Sequence, residues 1–263
     1  MLASDPTMKL SQVALQLYTI RDTCGTPLEF AASMKKVREI GYQAVQVSGV
    51  GDFPVEEISR ILTGEGLVCC ATHESGKKIL SDPAAIIDRL NILNCQNTAY
   101  PYPDGIDFAS ESSVTQLISG LDAAGAVLRA SGKTLSYHNH AMEFAPFGKQ
   151  IVLEAIYAGT EPGNLKAELD TYWVQYGGAN PVDWCEKMAG RLEVLHLKDY
   201  AFGLNNQPVM AEIGAGNIDF SKVIPAAEKS GCKWFVVEQD TCPGDPFDSA
   251  HQSYEFIAAN LVE

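Results

Sequence analysis

No apolar run in this chain approaches the ~18 residues that a membrane-spanning helix needs. CxxC pairs, a GxGxxG turn and basic runs longer than two residues are all missing as well. The first absence excludes a transmembrane helix. The second leaves seven cysteines, an odd number with no redox or zinc-motif spacing. They read as free, mostly buried thiols of a reducing compartment. The third argues against an open sheet that binds a dinucleotide at its first turn. The fourth accompanies a strongly acidic balance: Lys plus Arg is 19, Asp plus Glu is 33, and the net charge is -14. Such a surface repels phosphate backbones and anionic lipid, so neither nucleic acid nor a membrane is an expected partner. The opening segment, MLASDPTMKL, lacks a basic stretch followed by an apolar one. A secretory leader is therefore not expected, and the cytoplasm is the expected location.

What the chain does have is alternation. Short apolar runs, rich in β-branched residues, occur at Val13–Tyr18, Ala44–Ser48, Val68–His73, Asn97–Tyr100, Thr134–His140, Leu165–Leu169, Glu193–Leu197 and Trp234–Glu238. They read as strands buried on both faces. Helical patterns follow them at Pro27–Ile40, Pro54–Leu62, Pro83–Leu93, Ser112–Ala130, Ile151–Tyr157, Pro181–Met188, Phe220–Lys229 and Pro246–Leu261. Punctuation supports these limits: Asp82 precedes a proline suited to a first helical position, and Gly41 and Gly132 follow helix ends. Strict βα order predicts a parallel sheet with right-handed crossovers. Eight units in 263 residues fit a closed (β/α)8 TIM barrel, formed as one domain over 1–263. Gly214-Ala215-Gly216 comes late and reads as a turn.

Barrels of this kind place their chemistry at the C-terminal ends of the strands. Gln16 and Tyr18 end the first strand, His73 the third, and Tyr102 lies past the fourth. His138 and His140 end the fifth with Glu143 just beyond, Asp170 follows the sixth, His196 and Lys198 belong to the seventh, and Glu238 ends the eighth. Four successive apolar runs thus finish on His, Asp or Glu. Burying such groups without a common partner is unfavourable by several kcal/mol per charge. A divalent cation is a natural partner. Mixed imidazole and carboxylate donors suit Mn²⁺, Co²⁺, Zn²⁺ or Fe²⁺, with Mg²⁺ also admitted.

The segments LQLYTIRD (15–22), YHNHAMEF (137–144), ELDTYWVQYGGANPVDW (168–184), LHLKDY (195–200), EIGAGNIDF (212–220) and VVEQD (236–240) resemble the sugar phosphate isomerase/epimerase family of xylose isomerase-like barrels. The resemblance covers nearly the whole chain. It implies one divalent metal ion at the ends of strands five to eight, with Asp170, His196 and Glu238 at ligand positions. Ketose-epimerising relatives carry a Glu after strand five, whereas His138 stands there in this sequence. The fourth ligand is therefore His138 or Glu143, with His138 favoured. The same fold occurs in zinc-dependent abasic-site endonucleases, a reading that the acidic balance disfavours.

A cation bound to a carbonyl and a neighbouring hydroxyl acidifies the adjacent C–H. Glu238 is expected to remove that proton, with Glu143 or His140 as second acid/base. Return of the proton isomerises or epimerises a keto-sugar or related polyol. Loss of a β-leaving group instead gives a dehydratase or lyase, acting on an inosose or a 3-keto-glycoside. A non-catalytic sugar-binding barrel is a further alternative. Gln16, Tyr18, His73, Tyr102, Trp173 and Lys198 are expected to contact the sugar, with Lys198 either steadying an oxyanion or pairing with Asp199. The absence of an arginine cluster on this rim favours an unphosphorylated substrate. A homo-oligomer is left open.

Overall fold

The computed structural model describes residues 8–262. Eight parallel strands close into a barrel, each paired with its neighbours in chain order and the last with the first. They are β1 (Val13–Gln16), β2 (Ala44–Val47), β3 (Val68–His73), β4 (Asn97–Tyr100), β5 (Thr134–His138), β6 (Leu165–Asp170), β7 (Leu192–Leu197) and β8 (Trp234–Val237). All eight lie where the apolar runs predict them. Six of the eight differ from those runs by one or two residues at an end. Residues Leu17–Thr23, expected partly as strand, form 3₁₀ turns instead. Gln16 caps that turn, its side-chain oxygen accepting from the Tyr18 amide.

Several helices start where side chains satisfy their first amides. Thr26 and Glu29 form a reciprocal capping box for Pro27–Ile40. Asp82 caps Pro83–Ile92, and Ser110 caps the longest helix, Glu111–Ala130. Two short helices, Gly76–Ser81 and Thr171–Tyr176, and two antiparallel hairpins interrupt the βα repeat. The larger hairpin pairs Asp199–Phe202 with Pro208–Ala211. These pieces are too short to show a sequence period, yet all but one follow directly from strand ends and build the rim.

The interior is layered by the two-residue alternation of strands. Ala14, Ala44, Val194 and Val236 are small or apolar, fully buried, and packed in one cluster. Two residues onward on the same face of each strand come Gln16, Gln46, His196 and Glu238, all buried. The barrel is thus filled by small side chains below and polar ones above, and the polar layer is the floor of the site. The pairing slips between Val45 and Gln46 against β3, and between Ala167 and Glu168 against β7. Such irregularities re-aim side chains. Here they adjoin two polar residues that point inward.

A larger apolar layer lies between strands and helices. Helix Glu111–Ala130 reaches this layer closely at Gly125. A methyl group added there would lie 2.0 Å from the carbonyl oxygen of Asn164. Backbone cannot give way as a flexible side chain would. Gly125→Ala is expected to destabilise the fold by about 1–3 kcal/mol, the usual range for overpacking. Urea unfolding would read this directly; an unchanged midpoint would contradict the contact.

Candidate active site

At the C-terminal rim, β5 to β8 bring His138, Asp170, His196 and Glu238 together. Each offers a donor atom within 4.8 Å of the others, and all four are buried. Nδ1 of His196 lies 2.9 Å from Oε2 of Glu238 and 3.9 Å from Oδ2 of Asp170. Asp170 has a second duty: its Oδ1 accepts from the Trp173 amide at 3.0 Å and caps Thr171–Tyr176.

Lys198 reaches the same place from β7. Its ammonium lies 3.1 Å from Glu238, 3.5 Å from Asp170 and 2.8 Å from both oxygens of Asp240. Of the two roles open to it from sequence, this corrects the pairing with Asp199. Neighbouring residues at a strand end point to opposite sides, and Asp199 instead accepts from the backbone amides of Tyr200, Gly214, Gly216 and Ile218. The turn at 214–216 is thereby tied to the rim.

Burial opposes every charge here, and the neighbours decide which survive. On Glu238, Lys198 and His196 outweigh burial and hold the carboxyl below the usual range. Asp170 is pushed up to about 7 by burial, which Lys198 offsets only in part. His196 would be lowered by burial, but Glu168 and Glu238 raise it to about 10. Burial and three surrounding histidines push His138 well below its ordinary value. His140 falls to about 4 through burial and the nearby Lys198 ammonium.

Two buried atoms in this group make no hydrogen bond: Oδ2 of Asp170 and Nδ1 of His138. A buried carboxylate oxygen left without a donor is unfavourable, and mixed N/O donors at this spacing fit a divalent cation. A second group of donors, His73, His138, Glu168 and His196, overlaps the first. It is closed by hydrogen bonds: Nε2 of His73 meets Oε1 of Glu168 at 2.5 Å, and Gln46 donates to both oxygens of Glu168. Asp170, whose Oδ2 makes no hydrogen bond, belongs to the first group alone.

A cavity of about 430 Å³ opens above this floor, within the range of small-ligand sites. Tyr18, His73, Tyr102, His138, His140, Lys198 and Glu238 line it, seven of the residues singled out from sequence. Three others stand apart. Gln16 is wholly buried beneath it, beside Nδ1 of His73 at 3.5 Å. Trp173 backs the wall, its ring 5.4 Å from that of His140. Glu143 is not brought to the cluster. Tyr137, on the opposite face of β5 from His138, donates to its Oε1, and the His140 amide donates to its Oε2, each at 2.9 Å. Burial raises the Glu143 carboxyl. It braces the turn that presents His140.

Sequence reasoning missed Gln46 and Glu168, although both sit on inward-facing positions of their strands. Glu168 lies two residues before Asp170 and therefore on the same face, a signal that was available.

Residues 34–259 match the family model for the xylose isomerase-like TIM barrel. The chain belongs to that family. An inosose dehydratase from Geobacillus thermodenitrificans is 28% identical to it over 158 residues, which are 54% of this chain and 52% of the relative. The match thus spans about half the length of that relative. Among solved structures, a sugar phosphate isomerase/epimerase from Parabacteroides distasonis has a TM-score of 0.82 at 20% identity, covering 100% of both chains. A xylose isomerase-like barrel from Mycobacterium smegmatis, solved in complex with magnesium, has a TM-score of 0.74 at 14% identity and covers 95% of this chain and 96% of its own. The proteins this chain resembles thus include an inosose dehydratase and a sugar phosphate isomerase/epimerase. No helix among the described residues is long and apolar enough to cross a membrane.

Proposed function

We propose that this chain is a metal-dependent enzyme that removes the proton next to the carbonyl of a keto-sugar or related polyol, and that return of the proton isomerises or epimerises the substrate. The observation that carries this reading is the buried Oδ2 of Asp170, which makes no hydrogen bond and faces the Lys198 ammonium at 3.5 Å, beside His138, His196 and Glu238. These four would hold the cation. Bound there, it would polarise a substrate carbonyl and make the neighbouring C–H more acidic.

The protein's own groups supply the rest. Glu238 lines the cavity and is held ionised, the state a base requires. Lys198, fixed by three carboxylates and kept protonated, brings positive charge to the side where an oxyanion would develop. His140 on the cavity wall is a neutral imidazole at neutral pH and serves as the second acid/base. Tyr18 and Tyr102 frame the mouth. The Arg21 guanidinium is engaged over the Tyr18 ring and on the carbonyls of Tyr18 and Asp240, which supports an unphosphorylated substrate. The seven cysteines are free, consistent with a cytoplasmic enzyme.

Dehydration is the second reading, and a specific feature favours it. The other carboxylates lining the cavity are engaged: Glu74 with Arg89 at 2.7 Å, and Asp240 with Lys198. Glu238 is itself held by Lys198, but it alone of the three also belongs to the donor cluster; among the described residues no second carboxylate of the cavity does so from the opposite face, as a two-carboxylate epimerisation needs. The inosose dehydratase relative supports the same reading. Incubating Mn²⁺-loaded protein in D₂O with keto-sugars and inososes separates the outcomes. Deuterium next to the carbonyl without loss of water is expected for isomerisation or epimerisation. A product lighter by one water gives the dehydratase. No deuterium uptake with any of them, despite bound metal, would overturn both and leave a binding protein.

A further inference from the structure

Glu168 is buried on β6 and does not line the cavity. Its surroundings nevertheless fix a feature of the site. The side-chain amide of Gln46 donates from Nε2 to both oxygens of Glu168, at 3.1 and 3.0 Å. The reverse orientation would aim a carbonyl oxygen at a carboxylate, so the charge on Glu168 sets which way Gln46 faces. Oε1 of Gln46 is then directed at Nε2 of His196, 2.7 Å away. An amide oxygen only accepts, so that ring nitrogen must carry a hydrogen. Oε1 of Glu168 lies 3.1 Å from the same nitrogen and acts as a second acceptor. The other nitrogen, Nδ1, faces Glu238 and Asp170.

We infer that Glu168, acting through Gln46, is a positioning residue that holds His196 with Nε2–H toward the barrel floor and Nδ1 toward the cation. The inference rests on the metal-dependent reading above and adds which nitrogen of His196 ligates and what makes it do so. It gives the polar layer inside the barrel a purpose. Outer partners of this kind orient an imidazole ligand, and their loss typically weakens metal binding by about 10–100-fold.

The test exploits a swap. In E168Q the amide at position 168 no longer dictates the orientation of Gln46, which can turn and offer N–H to Nε2 of His196. That drives the ring hydrogen onto Nδ1 and blocks the ligating atom. In the double variant Q46E/E168Q the carboxylate sits at position 46 and the amide at 168. An oxygen is then again directed at Nε2. Zn²⁺ affinity, by competition with a chromophoric chelator, is expected to fall about 10–100-fold in E168Q and to return to within a few-fold of the parent in the double variant. Circular dichroism would show that both variants fold. Nitrogen-15 NMR of histidine-labelled, Zn²⁺-loaded parent protein, with His196 assigned from H196N, should show hydrogen on Nε2 and metal on Nδ1.

Unchanged Zn²⁺ affinity in E168Q would overturn the inference. So would a folded double variant as weak as E168Q, or a hydrogen on Nδ1 of His196 in the loaded parent. If the parent takes up no Zn²⁺, the metal-dependent reading itself fails. The inference that rests on it then falls too, whereas Zn²⁺ uptake by the parent that is unchanged in E168Q overturns the inference alone.

Discussion

Glu238→Gln is expected to lower exchange of the substrate's α-hydrogen with solvent by roughly 10²–10⁴-fold, the range that loss of a general base produces. The side chain ends β8 at the cavity floor, 5% exposed, with its Oε2 held by His196 at 2.9 Å and Lys198 at 3.1 Å. Glutamine keeps the shape and an oxygen donor, so part of the cation affinity should remain. It cannot accept the proton. A residue that only held metal would behave differently, with exchange recovering once the site is saturated with Mn²⁺. The discriminating comparison is therefore exchange at saturating Mn²⁺, followed by NMR in D₂O. Exchange that persists in loaded Glu238→Gln and disappears in His140→Gln would move the base to His140.

The second large effect is on metal content. Asp170→Asn should reduce bound divalent cation to a small fraction of the parent's, measured by elemental analysis after dialysis. Asparagine is the informative replacement. It retains an oxygen to accept from the Trp173 amide and so preserves the helix cap, whose loss alone would cost about 1 kcal/mol. What it removes is the negative charge around Oδ2, the buried atom that makes no hydrogen bond. The Lys198 ammonium 3.5 Å away offsets burial only in part: the carboxyl is still pushed up to about 7, an unfavourable state that a bound cation would relieve. A folded Asp170→Asn protein with undiminished metal content would remove Asp170 from the ligand set.

The sequence reveals strand ends better than side-chain directions. All eight strands were legible because each is an apolar run bounded by helix signals, and the site residues because each interrupts or ends such a run. His138, Asp170, His196 and Glu238 were found in this way and are brought together in the structure. Glu143 was not resolvable from spacing. Five residues beyond His138, its loop could curl toward the cavity or away, and only the Tyr137 hydroxyl on the outer face shows that it curls away. Pairing with Asp199 was one of two roles open to Lys198 from sequence, and it fails because neighbours at a strand end diverge. Glu168 and Gln46 were hidden for another reason. Their partnership spans 122 residues of chain, and each alone looks like a polar interruption of an apolar strand. Two slips of strand register beside them adjust how they face, and no period in the sequence reports such slips.

Anomalous diffraction from crystals of the parent protein grown with Mn²⁺ tests the central claim most directly. One strong peak is expected at the Mn edge, within about 2.0–2.3 Å of donor atoms from His138, Asp170, His196 and Glu238, with Nδ1 of His196 facing it. A peak seated instead on His73 and Glu168, or none at all at a Mn²⁺ concentration that supports catalysis, would contradict it.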